Sequence, residues 1–192
     1  LPTDVALSND ADLTLYHNDN GTFEKAVTGQ GSLTKIGTGT LVLAGANAYT
    51  GGTFVNGGTL EGTMATIPTT VTLSNNAGVT FNETENTTLT RLVTGDGSFT
   101  KVGESTLVVD SAATLTHTGA TNVNAGTLQL TGGNDILPVT TVATIQGGAT
   151  LDMVGLNQTL GGLGGAGSVA IGSGTLTISG DTDTSFSGAI SG

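Results

Sequence analysis

The amino-acid sequence predicts an all-β solenoid, and three observations carry that prediction. Apolar residues fall in short alternating runs closed by Gly, Asn and Ser, no segment keeps helical spacing, and a long stretch of the chain recurs at an offset of 66 residues.

The runs come first. Thr40-Leu41-Val42-Leu43 and Thr175-Leu176-Thr177-Ile178 alternate polar or outward positions with apolar ones, the period of a strand that buries one side. No window holds apolar residues at i, i+3, i+4 and i+7 over three helical turns. The chain has 32 glycines but only three prolines and 10% charged residues, which argues for tight corners rather than for disorder, since disordered chains are usually rich in charge or proline.

The charge balance excludes several functions. Four basic residues against fifteen acidic ones leave a net charge of −11, so phosphate neutralisation on a nucleic acid has no cationic patch to use. Attachment to an anionic lipid surface is disfavoured for the same reason, and the acidity serves to keep a β-rich surface soluble. Cysteine is absent, which removes disulfides, thiolate catalysis and cysteine metal sites, and in an exported chain avoids cross-linking in an oxidising compartment. No stretch reaches the ~18 consecutive apolar residues of a membrane helix, so direct membrane insertion is not expected. Leu1-Pro2-Thr3-Asp4 does not begin a signal peptide, so any targeting segment would lie outside this sequence.

The repeat organises the rest. Residues 5–15 (VALSNDADLTL) recur as 71–81 (VTLSNNAGVTF), and 27–37 (VTGQGSLTKIG) as 93–103 (VTGDGSFTKVG). Thr40-Leu41-Val42-Leu43 then meets Thr106-Leu107-Val108-Val109, and after a two-residue insertion 55–60 (VNGGTL) meets 123–128 (VNAGTL). A looser copy starts near Thr144, and 174–192 aligns without gaps on 11–29, so that Leu13, Phe23 and Val27 meet Leu176, Phe186 and Ile190. The chain therefore reads as a single section of something longer, with units 5–60, 71–128 and 143–178 and the start of a further unit at 174–192. Such a unit is too long for one supersecondary motif and fits several turns of a solenoid, with inward ladders of Leu, Val and Ile and outward Thr and Ser. Asn9 with Asn75, and Asn56 with Asn124, stand at equivalent points where sharp corners need the positive φ that Asn and Gly tolerate. Roughly twenty residues and ~4.8 Å per turn give a rod on the order of 45 Å long.

Residues 31–60 run GSLTKIGTGTLVLAGANAYTGGTFVNGGTL. The GSLTK-x-G-x-GTL-x-L opening followed by A-x-Y-x-GGT-x-V-x-x-GTL closely resembles the passenger-associated transport repeat of autotransporters, the type V secretion family. In the copy at 97–128, Glu104-Ser105 replaces a Thr-Gly pair and the tyrosine is missing, while beyond residue 143 the match is to the general passenger pattern (GATLD, then LGGL-x-GAGSV). The resemblance implies a right-handed, single-stranded parallel β-helix displayed on or released from a Gram-negative cell, with a signal peptide before it and a translocator β-barrel of the same precursor after it. It also implies efficient transport, for which turn-by-turn folding of an emerging solenoid is a physical reason.

Candidate chemistry is sparse. Gly162-Leu163-Gly164-Gly165-Ala166-Gly167 fits G-x-G-x-x-G, but strand-like Ser168-Val169-Ala170-Ile171 follows where a dinucleotide site needs a helix, so a corner is expected. The same segment lacks the acid of calcium-binding G-G-x-G-x-D repeats. An acidic turn recurs at Asn18-Asp19-Asn20, Thr84-Glu85-Asn86 and Asp181-Thr182-Asp183; oxygen ligands there would suit Ca²⁺, and the plainer reading is a solvated loop. Glu24, Glu61, Glu83, Glu85 and Glu104 fall mostly in different registers, against the paired carboxylates of a glycan-degrading enzyme. His17 and His117 stand in non-equivalent contexts and are expected at turns or on the surface. Tyr16, Phe23, Tyr49, Phe54, Phe81, Phe99 and Phe186 are too scattered to define a sugar-binding groove, with Phe23 and Phe186 read as core. Sequons at Asn20, Asn82, Asn86 and Asn157 carry little weight in a bacterial chain. No catalytic, cofactor or metal site is assigned. The expected function is a non-enzymatic surface rod, an adhesin that binds a host surface or matrix ligand or the same protein on neighbouring cells. The alternatives are a stalk for a toxin or protease domain elsewhere in the chain and, third, a β-helical glycan-degrading enzyme.

Overall fold

The computed structural model describes residues 4–8, 10–110 and 115–192, and within them every regular element is a strand. Each turn of the chain supplies up to three strands. The first turn runs Val5–Leu7, Asp12–Tyr16 and Gly21–Phe23; the second Val27–Gly29, Ser32–Ile36 and Thr40–Leu43; the third Ala48–Tyr49, Thr53–Val55 and Gly58–Gly62. The three positions in a turn define a first, a second and a third face. Every pairing is parallel and joins one turn to the next: Val5 lies opposite Val27, Leu13 opposite Leu33 and Gly21 opposite Leu41. The result is a parallel β-solenoid of about 9 turns.

The second face continues through Val71–Leu73, Val93–Gly95 and Leu115–His117, and the third runs unbroken as eight strands to Gly162–Gly165. The first face is interrupted at residues 63–70, which bridge the gap by hydrogen bonds from Asn47 Nδ2 to the Thr66 carbonyl (2.7 Å) and from Arg91 Nε to the Ile67 carbonyl (3.3 Å). It resumes at Thr87–Leu89 and ends at Ala189–Ser191.

The core is one continuous stack. On the third face Leu41, Leu60, Val79 and Phe99 sit in line and are all fully buried. Each such side chain contributes roughly 1.5–3 kcal/mol over its exposed state. Their neighbours in sequence point outward, as the strict period of two requires.

Repeat copies do not stack on one another. Val27 lies on the first face, but its equivalent Val93 lies on the second, above Val71 and Thr53. Leu33 is on the second face and its equivalent Phe99 on the third; Thr40–Leu43 is on the third and Thr106–Val109 on the first. At roughly twenty residues per turn, 66 residues is about three and a third turns, so each copy is displaced by one face. The 163-residue offset instead spans whole turns: Leu13 and Leu176 share the second face, Phe23 and Phe186 the third, Val27 and Ile190 the first.

Two sequence expectations change here. His117 is not at the surface; it ends the inward row of the second face and is fully buried. At the predicted corners Gly58 (φ 61°) and Gly126 (φ 64°) take the left-handed backbone instead of Asn56 and Asn124, while Asn76 (φ 63°) takes it beside Asn75. Asn9 lies outside the described residues.

Candidate functional site

The polar side chains buried in this solenoid gather at the repeat corners. In Ser32–Ile36 the alternation puts Lys35 on the inward row with Leu33, and both are fully buried. Its ammonium donates to the carbonyls of Gly37 (2.7 Å), Gly39 (2.6 Å) and Gly57 (2.8 Å), closing two successive corners with one cation. Loss of solvation holds its pKa below the usual lysine value.

Lys101 repeats the device in the second copy, donating to the carbonyls of Val102 (3.0 Å) and Gly103 (2.5 Å). Glu104-Ser105 here replaces Thr38-Gly39, and the negative charges of Glu104 and Glu83 partly offset the burial that lowers the pKa of Lys101. Glu83 is itself buried, accepts the Met64 amide at 2.6 Å, and has its pKa raised by desolvation. Two of the carboxylates considered as catalytic candidates thus act electrostatically on one structural lysine, and a third, Glu61, accepts the Asn82 side-chain amide at 2.8 Å. Glu24 and Glu85 are exposed.

A second buried unit recurs beside these corners. The Tyr49 hydroxyl meets Thr53 Oγ1 at 2.7 Å, which meets Thr69 Oγ1 at 3.0 Å. With Thr121 set on Thr53 and Val123 on Val55, the residue in the tyrosine position of the second copy is His117. Its Nε2 meets Thr121 Oγ1 at 2.9 Å, and Thr121 meets Thr141 Oγ1 at 3.0 Å. The His117 ring lies 5.9 Å from that of Phe99, while its Nδ1 is buried without a partner. Burial pushes the His117 pKa down to about 4 and that of Tyr49 up to about 12.

Two of the acidic turns, through Asn20 and Asn86, and the corner at Asn157 share a structural task. Asn20 Oδ1 accepts the Thr40 amide (2.9 Å), Asn86 Oδ1 that of Thr106 (2.8 Å) and Asn157 Oδ1 that of Thr175 (2.9 Å). Each asparagine caps the threonine amide of a Gly-Thr-Leu or Ser-Thr-Leu segment one turn further along, an amide that would otherwise lack a partner at the corner. Among the described residues no group of three or more His, Cys, Asp or Glu side chains gathers in a way that suits a metal. Gly162–Gly165 is a strand, Gly165 turns at φ 100°, and Ser168–Ala170 is again a strand. His17 is half-buried just after the strand Asp12–Tyr16.

The outward rows supply the accessible chemistry. On the second face Thr14, Thr34, Phe54, Thr72, Thr94 and Thr116 form one column. Tyr16, 64% exposed, shares that face with Phe54, 38% exposed, so two aromatics distant in sequence come together where the sequence alone gave no groove. Between the second and third faces runs an open polar groove of about 550 Å³, edged by Asn75, Asn76, Asp96 and Ser98.

Comparison with known proteins fits this geometry. The passenger-associated-transport-repeat family model matches residues 33–61, 99–130 and 169–191. The three matches open on Leu33, Phe99 and Val169, on the second, third and first faces in turn. The last crosses the overlap between the units read from sequence as 143–178 and 174–192. The chain is 36% identical over 147 residues to the Adhesin BmaC autotransporter of Brucella suis biovar 1 (strain 1330), an alignment covering 59% of this chain and 4% of that protein. No solved structure matches. Three transport-repeat matches wound on a parallel β-solenoid, with a stretch similar to an autotransporter adhesin, support an autotransporter passenger domain, a kind of chain displayed on the cell surface or secreted across the outer membrane.

Proposed function

We propose that the segment is a rigid rod within an adhesin, meeting its ligand through its outward faces and folding turn by turn as the passenger is exported. The observation that carries the reading is the division of polar groups. Lys35, Lys101, Asn20, Asn86 and Asn157 spend their hydrogen bonds on backbone, while the outward rows present Thr and Ser. The relative named as an adhesin supports the same role. Pairing confined to adjacent turns supports vectorial growth, since each new turn needs only the one before it. On this reading the partners are a host surface or matrix ligand and the translocator β-barrel of the same precursor, and the units 5–60, 71–128 and 143–178 are successive lengths of rod. Catalysis has no part in it: the charges of Glu83 and Glu104 act on the buried ammonium of Lys101.

Beads coated with the fragment test the reading. Adherence to host cells, competed by soluble fragment, is the expected result. Beads that adhere no better than albumin-coated ones at high density would leave the segment as a stalk for a domain elsewhere in the protein. Clumping of the beads alone would point to self-association between neighbouring cells.

A further inference from the structure

The second face is set apart by two exposed aromatic rings, Tyr16 and Phe54. Its strands share the near absence of charge of the other faces, where Glu61 on the third and Asp152 on the first are the outward charges among the described strands. The chain carries −11, yet among the described residues Asp12 is the one charged side chain pointing outward from the six strands between Asp12–Tyr16 and Leu115–His117. Even that carboxylate is occupied, accepting from Ser32 Oγ (2.8 Å), Thr14 Oγ1 (3.0 Å) and Thr34 Oγ1 (3.0 Å). What remains is a flat sheet of hydroxyls at the ~4.8 Å spacing of the turns, with two rings set into it.

Both rings have a near neighbour that restrains them. Gly52 has no side chain, and the Phe54 ring lies back over it: a Cβ at Gly52 would sit 3.4 Å from Phe54 Cε2 and 3.5 Å from Cζ. The ring therefore covers the backbone with one side and offers the other to solvent. The Tyr16 hydroxyl accepts from Asn18 Nδ2 at 2.6 Å, two residues along the chain, which restrains the ring. Two turns and two residues apart, their Cα atoms are separated by about 12 Å.

We propose that the second face is a binding platform for an uncharged polysaccharide lying along the rod axis, with Tyr16 and Phe54 as stacking rings and the threonine column as its hydrogen-bonding track. The proposal rests on the adhesin reading and names its ligand class. Sugar rings present C–H groups of slight positive charge on one side, which suit the negative face of an aromatic ring, and hydroxyls at their rim, which suit threonine. Charge decides between glycans: an anionic chain meets the repulsion of the whole rod, whereas a neutral one strips water from no unpaired charge. A second copy of this chain brings another −11 with it, which disfavours it as the occupant.

The fragment is tested for binding to immobilised dextran, mannan, cellohexaose and chitohexaose, with heparin and polysialic acid as anionic counterparts. Binding to one or more uncharged glycans and to neither anionic one is expected. Tyr16→Ala and Phe54→Ala should each weaken it about tenfold, with unchanged thermal unfolding. Thr22→Ala, on the third face, should leave it as it was. Absence of binding to every uncharged glycan, preference for an anionic one, or indifference to both ring variants overturns the proposal. So does sedimentation showing a dimer that Phe54→Ala dissociates without glycan binding, which would make a second copy the occupant. Fragment that adheres to cells but binds no glycan removes the platform and keeps the adhesin; fragment that does neither removes both.

Discussion

His117 occupies a slot built for a hydroxyl. The first copy fills it with Tyr49 and the second with His117, whose ring lies 5.9 Å from that of Phe99, the residue equivalent to Leu33. Because the His117 pKa falls to about 4 from the ordinary ~6.5, the folded state holds the imidazole neutral. Its contribution is complete above about pH 6.5 and is lost as pH falls towards 4, by up to ~1.4 kcal/mol per unit and about 3 kcal/mol in all. Carboxylates titrate in the same window, so the quantity to read is the difference between parent and His117→Tyr in urea midpoints from pH 7.5 to 4. That variant should lack the acid-dependent loss, cost about 1–3 kcal/mol at neutral pH by overpacking against Phe99, and recover when Phe99→Leu is added. The slot was legible in principle. Tyr-x-x-x-Thr and His-x-x-x-Thr share their spacing, but the insertion before residue 121 hid the correspondence, and burial of a lone histidine has no signature in its neighbours.

At the level of the strand and its corner, the lysines matter most. Period two alone places Lys35 on the row of Leu33 and Lys101 on the row of Phe99; the usual preference of lysine for water argues the other way. The corner decides it, because three carbonyls converge where only a long cation reaches them. Lys35→Met should cost at least about 3 kcal/mol, leaving three carbonyls unsatisfied, and Lys101→Met less, since it abandons two. Equilibrium urea unfolding of the two variants measures the difference, and equal losses would contradict the account. The same contest explains two of the acidic turns: Asn20 and Asn86, like Asn157 in a corner without the acid, carry the right atoms for a cation, but the amides of Thr40, Thr106 and Thr175 arrive first. Strand runs were readable from alternation, whereas these side-chain-to-backbone bonds join residues 18 or 20 apart and need the winding to be known.

Across the whole molecule, the ladder arrangement makes stability local. Turns touch only their neighbours, so damage at one turn should divide the rod without unravelling both sides. Gly95 supplies the test. It sits at φ 98° on the second face, and a Cβ there would run into the Leu73 carbonyl. Gly95→Ala should open a protease-sensitive point near residues 93–97 while hydrogen exchange in turns several positions away stays slow; uniform loss of protection would show a single cooperative unit instead. The fold class was open to sequence reasoning because alternation and repetition both survive in one dimension. The displacement of copies was not, since each face demands the same in-out pattern and Val27 and Val93 satisfy it equally on different sides.

That displacement has a consequence for a passenger that lengthens by duplication. Adding one 66-residue copy does more than extend the rod: it changes the azimuth of everything beyond by about a third of a circle. One extra copy would aim a distal patch at a different neighbour, and three would bring it back to its original bearing, farther from the cell. Copy number in such a chain therefore sets both reach and direction, and gains in multiples of three alter the first without the second.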